Sequence, residues 1–217
     1  MKNLYIYCEG PTEESFIDNV LTPYLLDHGV YSKPIICTTK RTKTEKHKGG
    51  VSDYRKIRTE LSILCKQHKN ETVTTMFDYY GFPPNAPGVE RKSRYLLESV
   101  NDIERAVEAD IDAPNLFFNF TVHEFEGLLF SNTSVFDSIA SLEAVAQLQR
   151  IREQYETPEH INDSIYTAPS KRIVNVIPSY TKVSDGTMIS TKIGINKMLA
   201  ECEHFREWIK RIRMIAK

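Results

Sequence analysis

Leu4-Tyr5-Ile6-Tyr7-Cys8-Glu9-Gly10-Pro11-Thr12-Glu13-Glu14-Ser15-Phe16 changes character part-way along. The apolar and aromatic residues 4–8 are too few for a helix and predict a strand. Glu9-Gly10-Pro11 then ends it. Thr12 offers a helix N-cap, and Glu13 and Glu14 fall in the first turn, where the helix dipole favours acids. Phe16, Ile17, Val20, Leu21, Tyr24 and Leu25 follow at helical spacing, with Pro23 as a kink point and Gly29 as the stop.

The same alternation continues outward from this unit. A second strand is expected over 34–39, a helix over 53–68 with Ile57, Leu61, Leu64 and Cys65 on one face, and a third strand over 72–77. Gly81, Pro83 and Pro84 stop that strand's extension. A helix over 91–109, with Leu96, Val100, Ile103 and Val107 at core spacing, leads to a fourth strand over 115–122. Strand and helix in strict alternation argue an α/β fold: a parallel sheet of about four strands flanked by helices. Beyond Ser131 the pattern is helical, clearest over 141–155 and 196–215. The expected organisation is a core over 1–130 with a helical extension over 131–217 packed on it as one structural unit.

Composition narrows the function classes. With 217 residues, 41% hydrophobic and 26% charged, the chain suits one ordinary globular domain, which excludes disorder, collagen and coiled coil as whole-chain descriptions. A net charge of -1 excludes a global basic footprint for nucleic acid, so any such surface is local. The candidate is the loop over 40–48, with Lys40, Arg41, Lys43, Lys46 and Lys48. Its cations either contact phosphate backbones or form a solvated charge run. No apolar run approaches the ~20 residues of a membrane span, and Glu9 comes too early for a signal-peptide core. No membrane association and a cytoplasmic location are therefore expected. Cys8, Cys37, Cys65 and Cys202 form no Cys-x-x-Cys pair and no zinc spacing, which predicts buried reduced thiols.

Chemistry concentrates where strands end. Glu9 follows the first strand, Asp78 the third, and Glu124 and Glu126 the fourth. In a parallel sheet these ends share one rim, where reactive groups gather. Glu13 lies one helical turn beyond the first of them. Grouped carboxylates repel and resist ionisation unless a cation joins them, and hard oxygen donors suit Mg2+ or Mn2+. Such a metal activates water and neutralises charge on a phosphoryl group. Each acid also has a plainer use: Glu9 in a solvated turn, Asp78 in an Asx-turn, Glu13 as a dipole partner, Glu124 and Glu126 on a helix surface. His123 either serves as a general base or fills a helix start. Lys171 and Arg172 either stabilise a transition-state anion or form a solvated first turn. Tyr79, Tyr80 and Phe82 either stack on bases or pack in the core. The Gly-x-x-x-x-Gly-Lys-Ser/Thr loop, the Gly-x-Gly-x-x-Gly fingerprint, the Gly-x-Ser-x-Gly elbow and the His-Glu-x-x-His zinc helix are absent from the sequence.

Six blocks together resemble the bacterial domain-of-unknown-function family DUF4276: residues 7–13, 76–83, 123–130, 156–162, 168–172 and 202–208. That family is similar to Toprim domains, the metal-dependent Rossmannoid fold of topoisomerases, primases and the overcoming-lysogenisation-defect nucleases. The resemblance implies a nuclease effector acting on DNA or RNA with Mg2+ or Mn2+. It also implies an AAA- or ABC-type ATPase partner in anti-phage defence, and leaves a homo-oligomer open. It gives Glu9 the glutamate role after the first strand and Asp78 the first aspartate of Asp-x-Asp, with Glu13 matching an extra acid of the nuclease branch. Glu9, Asp78 and one of Glu124 or Glu126 would hold the metal, and His123 or Lys171 would assist proton or charge balance. The second aspartate of Asp-x-Asp falls at Tyr80, which cannot replace a carboxylate ligand. The alternative reading is a catalytically inactive Toprim-like interaction or sensor subunit that regulates the ATPase.

Overall fold

The computed structural model describes residues 1–38, 53–90, 96–162 and 166–216. The basic loop over 40–48 and the start of the helix expected from residue 91 lie outside these. Strands β1 (Lys2–Cys8), β2 (Val30–Ile36), β3 (Thr72–Asp78), β4 (Leu116–Phe117) and β5 (Phe120–Thr121) form one sheet. The order is β2-β1-β3-β4, with β5 also on β3, and every pairing is parallel. Cys8 pairs with Ile36 and Met76, and Asp78 pairs with Thr121, so the strand ends fall on one rim.

Both sheet faces are buried, which is why β1 reads as a continuous apolar run. Leu4, Ile6 and Cys8 face one core cluster, and Tyr5 and Tyr7 face the other. The second face is covered by α3 (Tyr54–Gln67) and α4 (Leu96–Ile111). The first is covered by α1 (Pro11–Phe16), α2 (Thr22–Leu26) and the C-terminal helices. These are α5 (Glu126–Leu129), α6 (Leu142–Arg152), α7 (Pro169–Val176), α8 (Lys182–Ile193), α9 (Ile195–Glu201) and α10 (Glu203–Met214). Trp208 of α10 donates from Nε1 to Thr74 Oγ1 at 2.9 Å, fastening the helical half to mid-sheet. The four cysteines are buried and unpaired, as expected.

Local differences from the sequence reading have physical causes. The cap of α1 is Gly10, not Thr12, because Pro11, with its fixed φ, takes the first helical position. The helix then widens into a π turn over Ile17–Leu21. A proline at 23 clashes with the carbonyl four residues earlier, and the wider turn relieves that clash. Strand β2 starts earlier than expected, at Val30, directly after Gly29 at φ 77. The expected fourth strand is two short ones. Side chains of α4 and β3 take over its ladder: Phe118 N–H donates to Glu108 Oε1 at 2.7 Å, and Asn119 N–H to Thr75 Oγ1 at 2.8 Å. The expected final helix breaks at Cys202, which is extended.

Candidate functional site

The rim is assembled by loops after β1, β3 and β5 plus the entrance of α8. The Asp78 backbone N–H bonds the Glu9 carboxylate, joining the ends of β1 and β3. Asp78 Oδ1 accepts the N–H of Phe125 at 3.0 Å, so the chain after β5 folds back over β3. Tyr79 and Tyr80 continue this seam, donating their N–H groups to the carbonyls of Thr121 and His123, each at 2.9 Å. Glu13, buried on α1, folds back towards Gly10, where a Cβ would stand 3.6 Å from its Oε2. Glu124 Oε2 accepts the N–H of Ser170 at 3.0 Å, in the first turn of α7. Glu126 opens α5 and is 1% exposed.

These carboxylates sense one another. Burial, then the charges of Glu13, Glu9, Glu126 and Glu124, push Asp78 well above the usual range. Burial raises Glu9, although the Asp78 N–H and Lys182 act against it. Burial, with the charges of Glu9 and Glu126, pushes Glu13 up to about 7. Glu126 is raised mainly by burial. Burial disfavours the Lys182 ammonium, yet Glu126, Glu124 and Asp78 outweigh that and raise it. Its Nζ stands 3.1 Å from Glu126 Oε1 and donates to Oε2 at 3.2 Å.

His123 is buried, with φ 64, and its Nδ1 is 3.2 Å from Asn162 Nδ2. Its ring meets Tyr79 edge-on, with centroids 6.4 Å apart. Lys171 is exposed on α7, and none of its side-chain contacts reaches the carboxylates among the described residues; its neighbour Ser170 makes the contact to Glu124. Phe82 packs against Phe77, Phe118 and Phe120, in keeping with the core use of the aromatics.

The profile of the family described as "Domain of unknown function (DUF4276)" matches residues 8–213. The chain belongs to this family. Among solved structures it is similar to the C-terminal region of the Burkholderia pseudomallei OLD protein, at 15% identity and a TM-score of 0.48, covering 99% of this chain and 98% of that one. It is also similar to the C-terminal region of the Xanthomonas campestris pv. campestris OLD protein, at 13% identity and a TM-score of 0.31, covering 100% and 98%. No curated protein matches.

In this DUF4276 chain the sequence reading missed Lys182. One signal for Lys182 existed: a cation in a helix's first turn opposes the dipole, so it needs another reason to be there. Its position is fixed by Thr181, which caps α8 and bonds Asp185 Oδ2 through its N–H at 2.7 Å and its hydroxyl at 2.8 Å.

The donor set suits a hard divalent cation: among the described residues, Glu9, Glu13, Asp78, Glu124 and Glu126 stand together with the ammonium of Lys182. Among the described residues, no three acidic, imidazole or thiol groups stand at coordination spacing. Among the described residues, no helix is long and apolar enough to cross a membrane.

Proposed function

We propose that this chain is a Toprim-like nuclease that hydrolyses phosphodiesters of DNA or RNA with Mg2+ or Mn2+. The carrying observation is the convergence of Glu9, Asp78, Glu124 and Glu126, from three strand ends, on one rim where the carboxyls of Asp78, Glu9 and Glu126 are held above their usual range. Glu9, Asp78 and Glu124 or Glu126 hold the cation. When bound, it supplies an activated water and neutralises charge on the phosphoryl group. Glu13 joins the same cluster or orients water. Lys182 holds Glu126 in place and balances charge. His123 stands beside the seam, bonded to Tyr80 through its carbonyl, where a proton carrier is useful. Lys171 contributes only through substrate reaching the exposed end of α7. The ATPase partner of AAA or ABC type, and the anti-phage setting, rest on the family resemblance.

The test is nucleic-acid cleavage with Mg2+ or Mn2+ by the wild type, Glu9→Ala and Asp78→Ala. The reading expects cleavage by the wild type and a loss of at least about 100-fold in both variants. Equal activity in all three removes it.

A second reading has its own observation. Tyr80 occupies the second Asp-x-Asp position, and no three donors reach coordination spacing among the described residues. Both fit a non-catalytic Toprim-like subunit that regulates an ATPase. Calorimetric titration separates the two: no binding of Mg2+ or Mn2+ at millimolar concentration supports this second reading.

A further inference from the structure

Tyr180 lies two residues before Lys182, at the entrance of α8. Its side chain packs in the core and is 7% exposed, yet no described group hydrogen-bonds its hydroxyl. Buried hydroxyls are almost always bonded, to protein or to an ordered solvent molecule, so this one points to a ligand. Gly186 lets α8 lie directly against the hydroxyl: a Cβ there would stand 3.0 Å from Tyr180 Oη and 3.4 Å from Phe125 Cε1. Phe125, whose ring shares this contact with Gly186, directly precedes Glu126 at the start of α5.

Glu126 supplies the matching half. Its Oε2 is bonded by Lys182, whereas Oε1, 3.1 Å from the same ammonium, receives no hydrogen bond. Burial first, then the charges of Glu126, Asp185 and Glu124, keep the proton on the Tyr180 hydroxyl. One buried corner thus presents a neutral donor and a carboxylate acceptor with capacity left. Water suits both, because it accepts from Tyr180 and donates to Oε1. A phosphate oxygen does not suit them, because its charge adds to that of the rim.

We infer that Tyr180 is a positioning residue whose hydroxyl holds one buried water against Glu126 Oε1, fixing that carboxylate at the rim. The inference deepens the metal-dependent reading above and rests on it for its cation arm. Groups that orient a metal-binding carboxylate without touching the metal typically contribute about 10- to 100-fold in metal affinity. Tyr180→Phe removes only the hydroxyl and leaves the packing intact.

The experiment pairs high-resolution crystal structures of the wild type and Tyr180→Phe with calorimetric titration of each by Mn2+. Expected are a water between Tyr180 Oη and Glu126 in the wild type, its loss in Tyr180→Phe, an unchanged melting temperature without metal, and Mn2+ binding weakened about 10-fold. Gly186→Ala, which crowds the hydroxyl while keeping the tyrosine, should weaken Mn2+ binding in the same direction. A wild-type map without that water overturns the inference, and so does unchanged Mn2+ affinity in Tyr180→Phe. A wild type that binds no Mn2+ defeats the metal reading instead, and the density beside Tyr180 then decides the water by itself.

Discussion

Glu13 shows, at the scale of one residue, what the rim costs the fold. Its carboxyl is buried among Glu9 and Glu126 and is pushed up to about 7. Ionising a carboxylate buried among other acids opposes folding above that value. Glu13→Gln keeps the shape and removes the charge. It is expected to raise stability at pH 8 by about 1 kcal/mol, read from thermal melts, while weakening Mn2+ binding. A lower melting temperature would mean that the carboxylates are already compensated. Glu9, Asp78, Glu124 and Glu126 were legible in the sequence because strand ends and turn residues mark the rim. Lys182 was not, since it lies 56 residues beyond Glu126 and reaches it only through the packing of α8. Tyr180 was hidden for the same reason, as nothing local distinguishes it from an ordinary core tyrosine.

Elements were readable where one local rule governed them. Strands β1 and β3 and helix α3 followed from apolar runs and periodicity, and Asp53 caps α3 by accepting the N–H of Arg55 at 3.0 Å. Elements set by distant side chains were not readable. The division between β4 and β5 depends on Glu108 and Thr75 intercepting backbone donors. The break before α10 depends on Glu159, 3% exposed, which accepts the N–H groups of His204 at 3.0 Å and Phe205 at 2.9 Å. Glu159→Ala leaves both donors buried and unbonded, and should cost about 2–4 kcal/mol in urea denaturation. Glu159→Gln, which keeps an acceptor oxygen, should cost roughly half as much. An alanine variant as stable as the wild type would show that α10 starts without this cap.

At the scale of the molecule, α10 ties the two sheet faces together around the β4 edge. Arg211 lies over the Phe117 ring at 4.6 Å, and His204 Nε2 pairs with Glu104 Oε1 of α4 at 3.1 Å. Burial and Arg211 disfavour the His204 cation, but the hydrogen bond and charge of Glu104, with Glu159, outweigh them and raise His204 above its ordinary value. A raised histidine stabilises the fold fully below the unfolded value near 6.5, and that contribution is lost as pH climbs through the folded value. His204→Gln should therefore destabilise the protein more at pH 6 than at pH 9, measured by denaturant titration at both. Equal losses at the two pH values would leave the pair a neutral hydrogen bond. The overall architecture was visible in the alternation of strand and helix, whereas this clasp required the folded chain.

The most direct measurement of the central claim is anomalous diffraction from crystals of the whole chain grown with Mn2+. The account predicts a manganese peak at the strand-end rim, contacting carboxylate oxygens of both Glu9 and Asp78. A map at saturating Mn2+ with no peak within reach of both residues would contradict it.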